Sequence, residues 1–173
     1  MDKNTVSINT QDEFDNIELV FSMSAHYEHL LTWLPKGEAF VRWAGPSLDY
    51  PEDAASFEAS LVVGNYQSYT LINASGDTPE ILGFGQIQIW SSRAHLGRLI
   101  IAPQYRGRGL SYILVNLLIE KAAAQHNITS VSLFVYKDNL PAVTSYQNLG
   151  FVPSAYPKEV TFVEGCSFMT LDY

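Results

Sequence analysis

Cysteine is almost absent from the sequence, because Cys166 is the single one among 173 residues. One thiol excludes an intrachain disulfide framework, and a chain of this length buries enough surface to form a core without cross-links. Long apolar runs are also lacking: no segment approaches the ~18 apolar residues of a membrane-spanning helix. The N-terminal segment is polar and acidic without an apolar signal core, so the sequence predicts a cytoplasmic protein with no membrane partner.

Basic residues are scarce as well. The chain holds 10 Lys and Arg against 18 Asp and Glu, for a formal net charge of −8. This balance disfavours a nucleic-acid binder, which would need a basic face. Half of the basic residues nevertheless fall between residues 93 and 121, where Glu120 is the only acid; they are Arg93, Arg98, Arg106, Arg108 and Lys121. A basic island in an acidic chain indicates a local site for an anion.

Inside that island, an apolar strand pattern meets two glycines and then a helical pattern. The stretch is IIAPQYRGRGLSYILVNLL, from Ile100 to Leu118. The first amides of a helix lack intrahelical acceptors and lie at the positive end of its dipole. Gly107 and Gly109 would let a phosphate oxygen approach those amides, with Arg106 and Arg108 adding charge. The alternative is a tight turn with solvated arginines.

The pattern along the chain predicts a mixed sheet with several helices, of the α/β or α+β class, in a single domain of residues 1–173. Predicted strands are residues 17–23, 67–73, 80–90, 95–102, 131–136 and 167–171, with apolar sheet edges at 151–152 and 160–163. Predicted helices are residues 27–34, 54–61, 110–127 and 139–150. Strand, helix and strand between residues 95 and 136 form a crossover unit, which places two parallel strands side by side.

Two familiar phosphate-binding motifs do not fit the glycine loop. A dinucleotide fingerprint needs a third glycine where Tyr112 stands, and a Walker A loop needs Gly-Lys-Ser/Thr. The pattern Gln104-x-x-Gly107-x-Gly109 instead resembles the acyl-CoA signature of the GNAT N-acetyltransferase superfamily. The later block VSLFVYKDNLPAVTSYQNLGF is similar to that family's next segment, an Asn-x-x-Ala helix that carries a tyrosine and ends in Gly-Phe. The resemblance covers about residues 80–173.

This resemblance implies a GNAT-like mixed β-sheet with a splayed parallel strand pair and helices on both faces. It also implies direct transfer of acetyl from acetyl-CoA to a primary amine of a small molecule or protein, with no metal. The coenzyme would be held by strand backbone, by loop amides and by the later helix, at Ile100, Ile101, Ala102, Arg106, Gly107, Arg108, Gly109, Leu110, Ser111, Asn139, Ala142 and Tyr146.

The resemblance also assigns candidate chemistry. Tyr146 would be the general acid that protonates the leaving thiolate, and its alternative role is that of a packed core aromatic. Many relatives carry a carboxylate on the strands beside the splay, but residues 95–102 contain none, and Arg98 stands there instead. His95 is a possible base, with a water chain to a distant carboxylate as the other option.

The aromatic residues of the N-terminal third, Trp33, Trp43 and Tyr50, would line the site of the acceptor amine, or else pack the first helices. The sequence leaves open whether the acceptor amine belongs to a small molecule or to a peptide. It also leaves open whether the protein is a monomer or a homodimer. A second function remains open, that of a non-catalytic acyl-CoA-binding or regulatory module, because the strand carboxylate is missing.

Overall fold

A computed structural model describes Phe14, residues 16–158 and residues 160–173. Residues 1–13, the polar N-terminal segment, lie outside the described residues, as does part of the predicted domain of residues 1–173. The strands are β1 (Ile17–Phe21), β2 (Gln67–Asn73), β3 (Glu80–Trp90), β4 (Arg93–Ile101), β5 (Ser130–Tyr136), β6 (Val152–Ser154) and β7 (Cys166–Asp172). The α-helices are α1 (Ser24–Trp33), α2 (Glu38–Ala44), α3 (Ala54–Leu61), α4 (Leu110–Gln125) and α5 (Leu140–Asn148).

One mixed sheet carries the described strands in the order β1-β2-β3-β4-β5-β7-β6. All neighbours are antiparallel except β4 and β5, which are the parallel pair expected from the crossover unit. The structure therefore confirms the mixed α/β class. Within the described ranges, none of the helices combines the length and the apolar character that crossing a bilayer requires.

Helices cover the sheet on both faces, and β3 shows how. Gly83 and Gly85 point toward α4, where an added Cβ on Gly85 would lie 2.8 Å from Leu118. Phe84, between the two glycines, points the other way and belongs to the buried cluster of α1, α2 and α3. The absence of side chains at the two glycines thus lets α4 pack closely on the strand that precedes the site.

The element boundaries depart from the sequence-based expectations in a few places. The first strand ends at Phe21, since α1 begins at Ser24, and β4 starts at Arg93. The prediction of a sheet edge at residues 160–163 was wrong, because that segment lies in the loop between β6 and β7. There the Val163 N–H donates to the Tyr156 hydroxyl at 3.3 Å and not to a neighbouring strand.

The parallel pair separates partway along its length. β4 and β5 pair from Arg93 and Ser130 to Leu96 and Leu133, although β4 continues to Ile101 and β5 to Tyr136. The pairing of β3 with β4 shifts register over the same stretch, between Phe84 and Gln86. The diverging strand ends open a cleft in the middle of the sheet.

Candidate active site

A cavity of about 590 Å³ occupies the cleft between the diverging ends of β4 and β5. Its walls come from β4, β5 and α5, from α2 with the loop that follows it, and from the loop between β6 and β7. Three of the predicted coenzyme and catalytic residues line it, namely Asn139, Ala142 and Tyr146. The topology therefore brings the second sequence block to the splayed strand pair.

The glycine loop connects β4 to α4. A 3₁₀ turn, Pro103–Tyr105, leaves the strand, and Gly107 and Gly109 follow with φ angles of 77° and 78°. Gly109 is the N-cap of α4 and provides no side-chain acceptor. Consequently the amides of Leu110 and Ser111 have no hydrogen-bond acceptor within the described part of the chain. Two free amides at the positive end of a 16-residue helix form a suitable seat for a phosphate oxygen.

The two arginines of the loop contact residues beside the glycines. The Nε of Arg106 donates to the Ile101 carbonyl oxygen at 3.1 Å. The guanidinium of Arg108 lies 5.6 Å from the centroid of the Tyr105 ring. Both cations therefore stay close to the glycines.

The strand edge expected to hold the pantetheine arm is only partly available. Ile100 and Ile101 pair with β3 on one side, and on the other side the ladder to β5 has already ended at Leu96. The Ile101 carbonyl oxygen is nevertheless occupied, because it accepts from the Arg106 side chain. Ala102 differs, since its N–H donates to Leu82 and its carbonyl accepts from Tyr105, both at 2.9 Å. The expectation of a free backbone donor at Ala102 therefore does not hold, because the chain there already turns out of the sheet.

Asn139 and Tyr146 share one face of α5, two turns apart, and both line the cavity. Asn139 is the N-cap, and its side-chain oxygen accepts from the Ala142 amide at 3.4 Å. The alternative role as a helix cap is thus observed. Its side-chain NH₂ has no hydrogen-bond partner among the described residues and can still donate to a ligand.

Tyr146 is half-buried and packs against the core below α4, with its ring 6.1 Å from that of Phe151. Its hydroxyl makes no hydrogen bond to any residue that the structure describes. Burial raises the pKa of Tyr146 to about 12. The phenol therefore carries its proton throughout the neutral range and is able to donate it to a group in the cavity.

His95 lines the cavity but is unsuited to act as a base. Its ring stacks on Trp90 at 4.1 Å, and Nδ1 lies 3.1 Å from the Ser132 hydroxyl oxygen. Burial, together with the charges of Arg93 and Arg98, lowers its pKa to about 3. An imidazole this weakly basic does not take a proton from an ammonium group, so the structure argues against the base role considered for His95.

The depressed pKa of His95 makes a prediction about acid stability. The unfolded chain protonates this residue near pH 6.5, whereas the folded chain resists protonation down to about pH 3. Stability is therefore lost as pH falls from about 6.5 toward 3, by a few kcal/mol from this group. We expect the stability of His95→Gln to fall less steeply than that of the wild type between pH 6.5 and 3, in acid titrations followed by circular dichroism. Parallel wild-type and variant curves would contradict the assignment.

Of the three aromatic residues predicted to line the acceptor site, only Trp43 lines the cavity. Trp43 lines the cavity, and its buried Nε1 has no hydrogen-bond partner among the described residues. Trp33 instead packs against the cluster formed by α1, α2 and α3. Tyr50 is 39% exposed and packs on Phe40, outside the cavity.

The sequence analysis did not predict that several residues lining the cavity would contact a ligand. They are Arg42, Tyr66, Arg98 and Tyr156. The sequence could have indicated Arg98, because it belongs to the basic island and stands where an acid was expected. No sequence pattern indicated Tyr66, since it precedes β2 in a loop and reaches the site only through the packing of the sheet.

A splayed parallel pair, with a glycine loop at the head of the following helix, defines an acetyltransferase-type α/β fold. The model of the Acetyltransferase (GNAT) family matches residues 27–151, and the chain belongs to this family. The match includes the loop, α4, β5 and α5.

Relatives agree in class and differ in acceptor. The chain is 38% identical over 76 residues to the mycothiol acetyltransferase of Corynebacterium glutamicum (43% of this chain, 26% of that protein). It is 31% identical over 68 residues to the spermidine N(1)-acetyltransferase of Vibrio cholerae (39% of each). The chain thus spans less than half the length of these curated relatives. Among solved structures, the Vibrio cholerae spermidine N-acetyltransferase in complex with CoA and spermine has a TM-score of 0.70, at 18% identity and over 91% of this chain and 96% of that one.

Proposed function

We propose that the protein is an acetyl-CoA-dependent N-acetyltransferase that passes acetyl directly to a primary amine. One observation carries the proposal: the cleft between β4 and β5 is lined by Tyr146, whose hydroxyl has no hydrogen-bond partner among the described residues. The hydroxyl oxygen of the neighbouring Ser145 lies 3.4 Å from that of Ser111, at the start of α4 where free amides suit a phosphate. Family membership supports this assignment, and the relatives are named acetyltransferases.

The residues present fit the donor substrate. Amides of Leu110 and Ser111 would receive the pyrophosphate, with the charge of Arg106 and Arg108 nearby. The pantetheine arm would run along the edge of Ile100 and Ile101 that β5 leaves uncovered, much as an added strand would. The side-chain NH₂ of Asn139 would donate to an amide carbonyl of the arm.

In the transfer, the neutral acceptor nitrogen attacks the thioester carbonyl, and the carbon–sulfur bond breaks. Tyr146 supplies the proton that the departing sulfur takes up, and the resulting phenolate recovers a proton from water. The proton lost by the acceptor nitrogen passes to water. No covalent intermediate with the protein is needed. A single phenol that stays protonated at neutral pH is sufficient for the acid half of this reaction.

The alternative is a module that binds acyl-CoA without turnover, and one observation favours it. None of the described residues that line the cavity is an Asp or Glu, so none of them offers a carboxylate base. A thiol-release assay with acetyl-CoA and a panel of primary amines separates the two functions. We expect release with at least one amine; tight coenzyme binding by calorimetry without release on any amine would establish the module instead.

A further inference from the structure

Arg98 is held in the cleft by an unusual backbone and by three contacts. It lies in the bulged part of β4 and has a φ of 50°, which is uncommon outside glycine. Its Nε donates to the Ala44 carbonyl oxygen at 3.0 Å, and Nη1 donates to Gln86 Oε1 at 2.6 Å. Its guanidinium lies over the Tyr66 ring at 4.9 Å. A positive φ at a non-glycine residue persists only where the surrounding contacts hold it.

Gln86 fixes this arrangement from below. It is fully buried in β3, and its side-chain nitrogen donates to the Leu61 carbonyl and to the Ser68 hydroxyl oxygen. That leaves its oxygen to accept from Arg98. The Nη2 group of Arg98 has no hydrogen-bond partner within the described part of the chain, and the residue lines the cavity. The arrangement thus immobilises the arginine and leaves both N–H donors of Nη2 available.

The residues that the structure describes do not neutralise the charge of Arg98. Among the described residues it forms no ion pair, and burial lowers its pKa. The other arginine of the cavity, Arg42, is paired with Asp138. The described lining of the cavity contains no carboxylate at all, although the whole chain has a net charge of −8. A half-buried cation without a counter-ion is unfavourable, and an anion in the cavity would relieve this cost.

We propose that the acceptor is a primary amine that also carries a carboxylate, and that Arg98 binds this carboxylate through its unpaired Nη2 donors. This inference rests on the proposed acetyltransferase function and narrows its substrate class. A polycation such as a polyamine finds no acidic side chain in the described walls and meets a positive charge instead. A planar guanidinium whose Nε and Nη1 atoms are already bonded to the protein orients the carboxylate in one direction, which would direct the amine toward the thioester.

The test compares acceptors that differ only in charge. Thiol release from acetyl-CoA is measured with 4-aminobutanoate, with its carboxamide and with spermidine, and with glycine and glycinamide as a shorter pair, at equal concentrations of neutral amine. We expect kcat/KM to be about 10- to 100-fold higher for the acid of each pair, the range of a hydrogen bond to a charged group. The Arg98→Gln variant should lose this preference through a raised KM for the acids. Its activity on the carboxamides should change little.

Controls separate recognition from folding and from chemistry. Arg93→Gln removes a neighbouring charge on β4, bonded to Ser130 and outside the cavity, and should keep the preference. Thermal melting and coenzyme affinity of each variant show whether the cleft survives. Should Arg98→Gln fail to fold, wild-type inhibition still decides: butanoate should compete with the acceptor, and butanamide should not.

Each result has a distinct meaning. Turnover with no preference for the acids, or a preference for spermidine, would overturn the carboxylate proposal while the acetyltransferase function stands. An equal fall in kcat for acids and carboxamides in Arg98→Gln would also overturn it, because Arg98 would then act on the reacting carbonyl. Thiol release with none of the amines would overturn the acetyltransferase function and the inference with it.

Discussion

Replacing Tyr146 by phenylalanine should lower kcat by about 10²- to 10⁴-fold, the usual contribution of a positioned general acid. The change removes one oxygen that lines the cavity and makes no hydrogen bond to the described residues. Binding of the donor should persist, because the ring and its packing on Phe151 remain. Stopped-flow thiol release and calorimetric titration with CoA measure the two quantities separately.

The stability of the variants provides the matched control for this substitution. Tyr69 is a fully buried tyrosine outside the cavity, and its hydroxyl donates to Gln67 and Gln125 at 3.0 and 3.2 Å. Tyr69→Phe should cost about 1 kcal/mol of unfolding free energy, owing to the lost hydrogen bonds, and leave kcat unchanged. Tyr146→Phe should instead lower kcat and leave the free energy of unfolding nearly unchanged. A Tyr146→Phe enzyme within a few-fold of wild type would mean that water protonates the thiolate and that Tyr146 only packs.

The raised pKa of Tyr146 also fixes the sign of the pH dependence. The acid is active in its protonated form, and with a pKa of about 12 that form dominates up to pH 11. Activity should therefore rise with pH as the acceptor amine loses its proton, without a falling limb from Tyr146 below pH 11. A descending limb near pH 9 that disappears in Tyr146→Phe would show that the phenol titrates lower in the working enzyme.

Local patterns were sufficient for the half of the fold that holds the donor site. The helix predicted at residues 110–127 is α4, which ends at Gln125, and the crossover to β5 follows from periodicity that neighbouring residues define. The helix α2 was missed: it has seven residues, and its N-cap Gly37 offers no side-chain hydrogen bond. A short helix without a cap leaves little trace in sequence, since its stability comes from packing on other elements.

The acceptor side of the site depends on contacts between distant segments, and this explains what the sequence could not provide. Arg98 obtains its position from Gln86 and Ala44, which are 12 and 54 residues away along the chain. The register shift between β3 and β4 sets its backbone. Likewise, Trp43 lines the cavity while Tyr50 faces solvent, a difference that the packing of α2 decides and that composition does not encode.

Substituting valine for Gly107 should weaken CoA binding by at least about 100-fold, the loss expected when two hydrogen bonds to a charged phosphate fail. Gly107 has a φ of 77°, which a β-branched residue avoids, so the loop would leave the conformation that presents the amides of α4. Steric overlap is not the cause, because a Cβ at this position meets nothing within 4 Å. Calorimetric titration with CoA measures the effect, and Gly109→Val, at a φ of 78°, should behave alike.

Gly37 supplies the control for backbone strain. It has a φ of 65°, and an added Cβ there also meets nothing within 4 Å, yet it precedes α2 on the acceptor side of the molecule. Gly37→Val should therefore lower the melting temperature about as much as Gly107→Val, since both force valine to a positive φ, but it should leave CoA affinity intact. Equal affinities for CoA in the two variants would place the pyrophosphate away from the head of α4. The assignment of a donor site to the cleft would then lose its main support, because no other feature described in the splayed pair offers free amides to a phosphate.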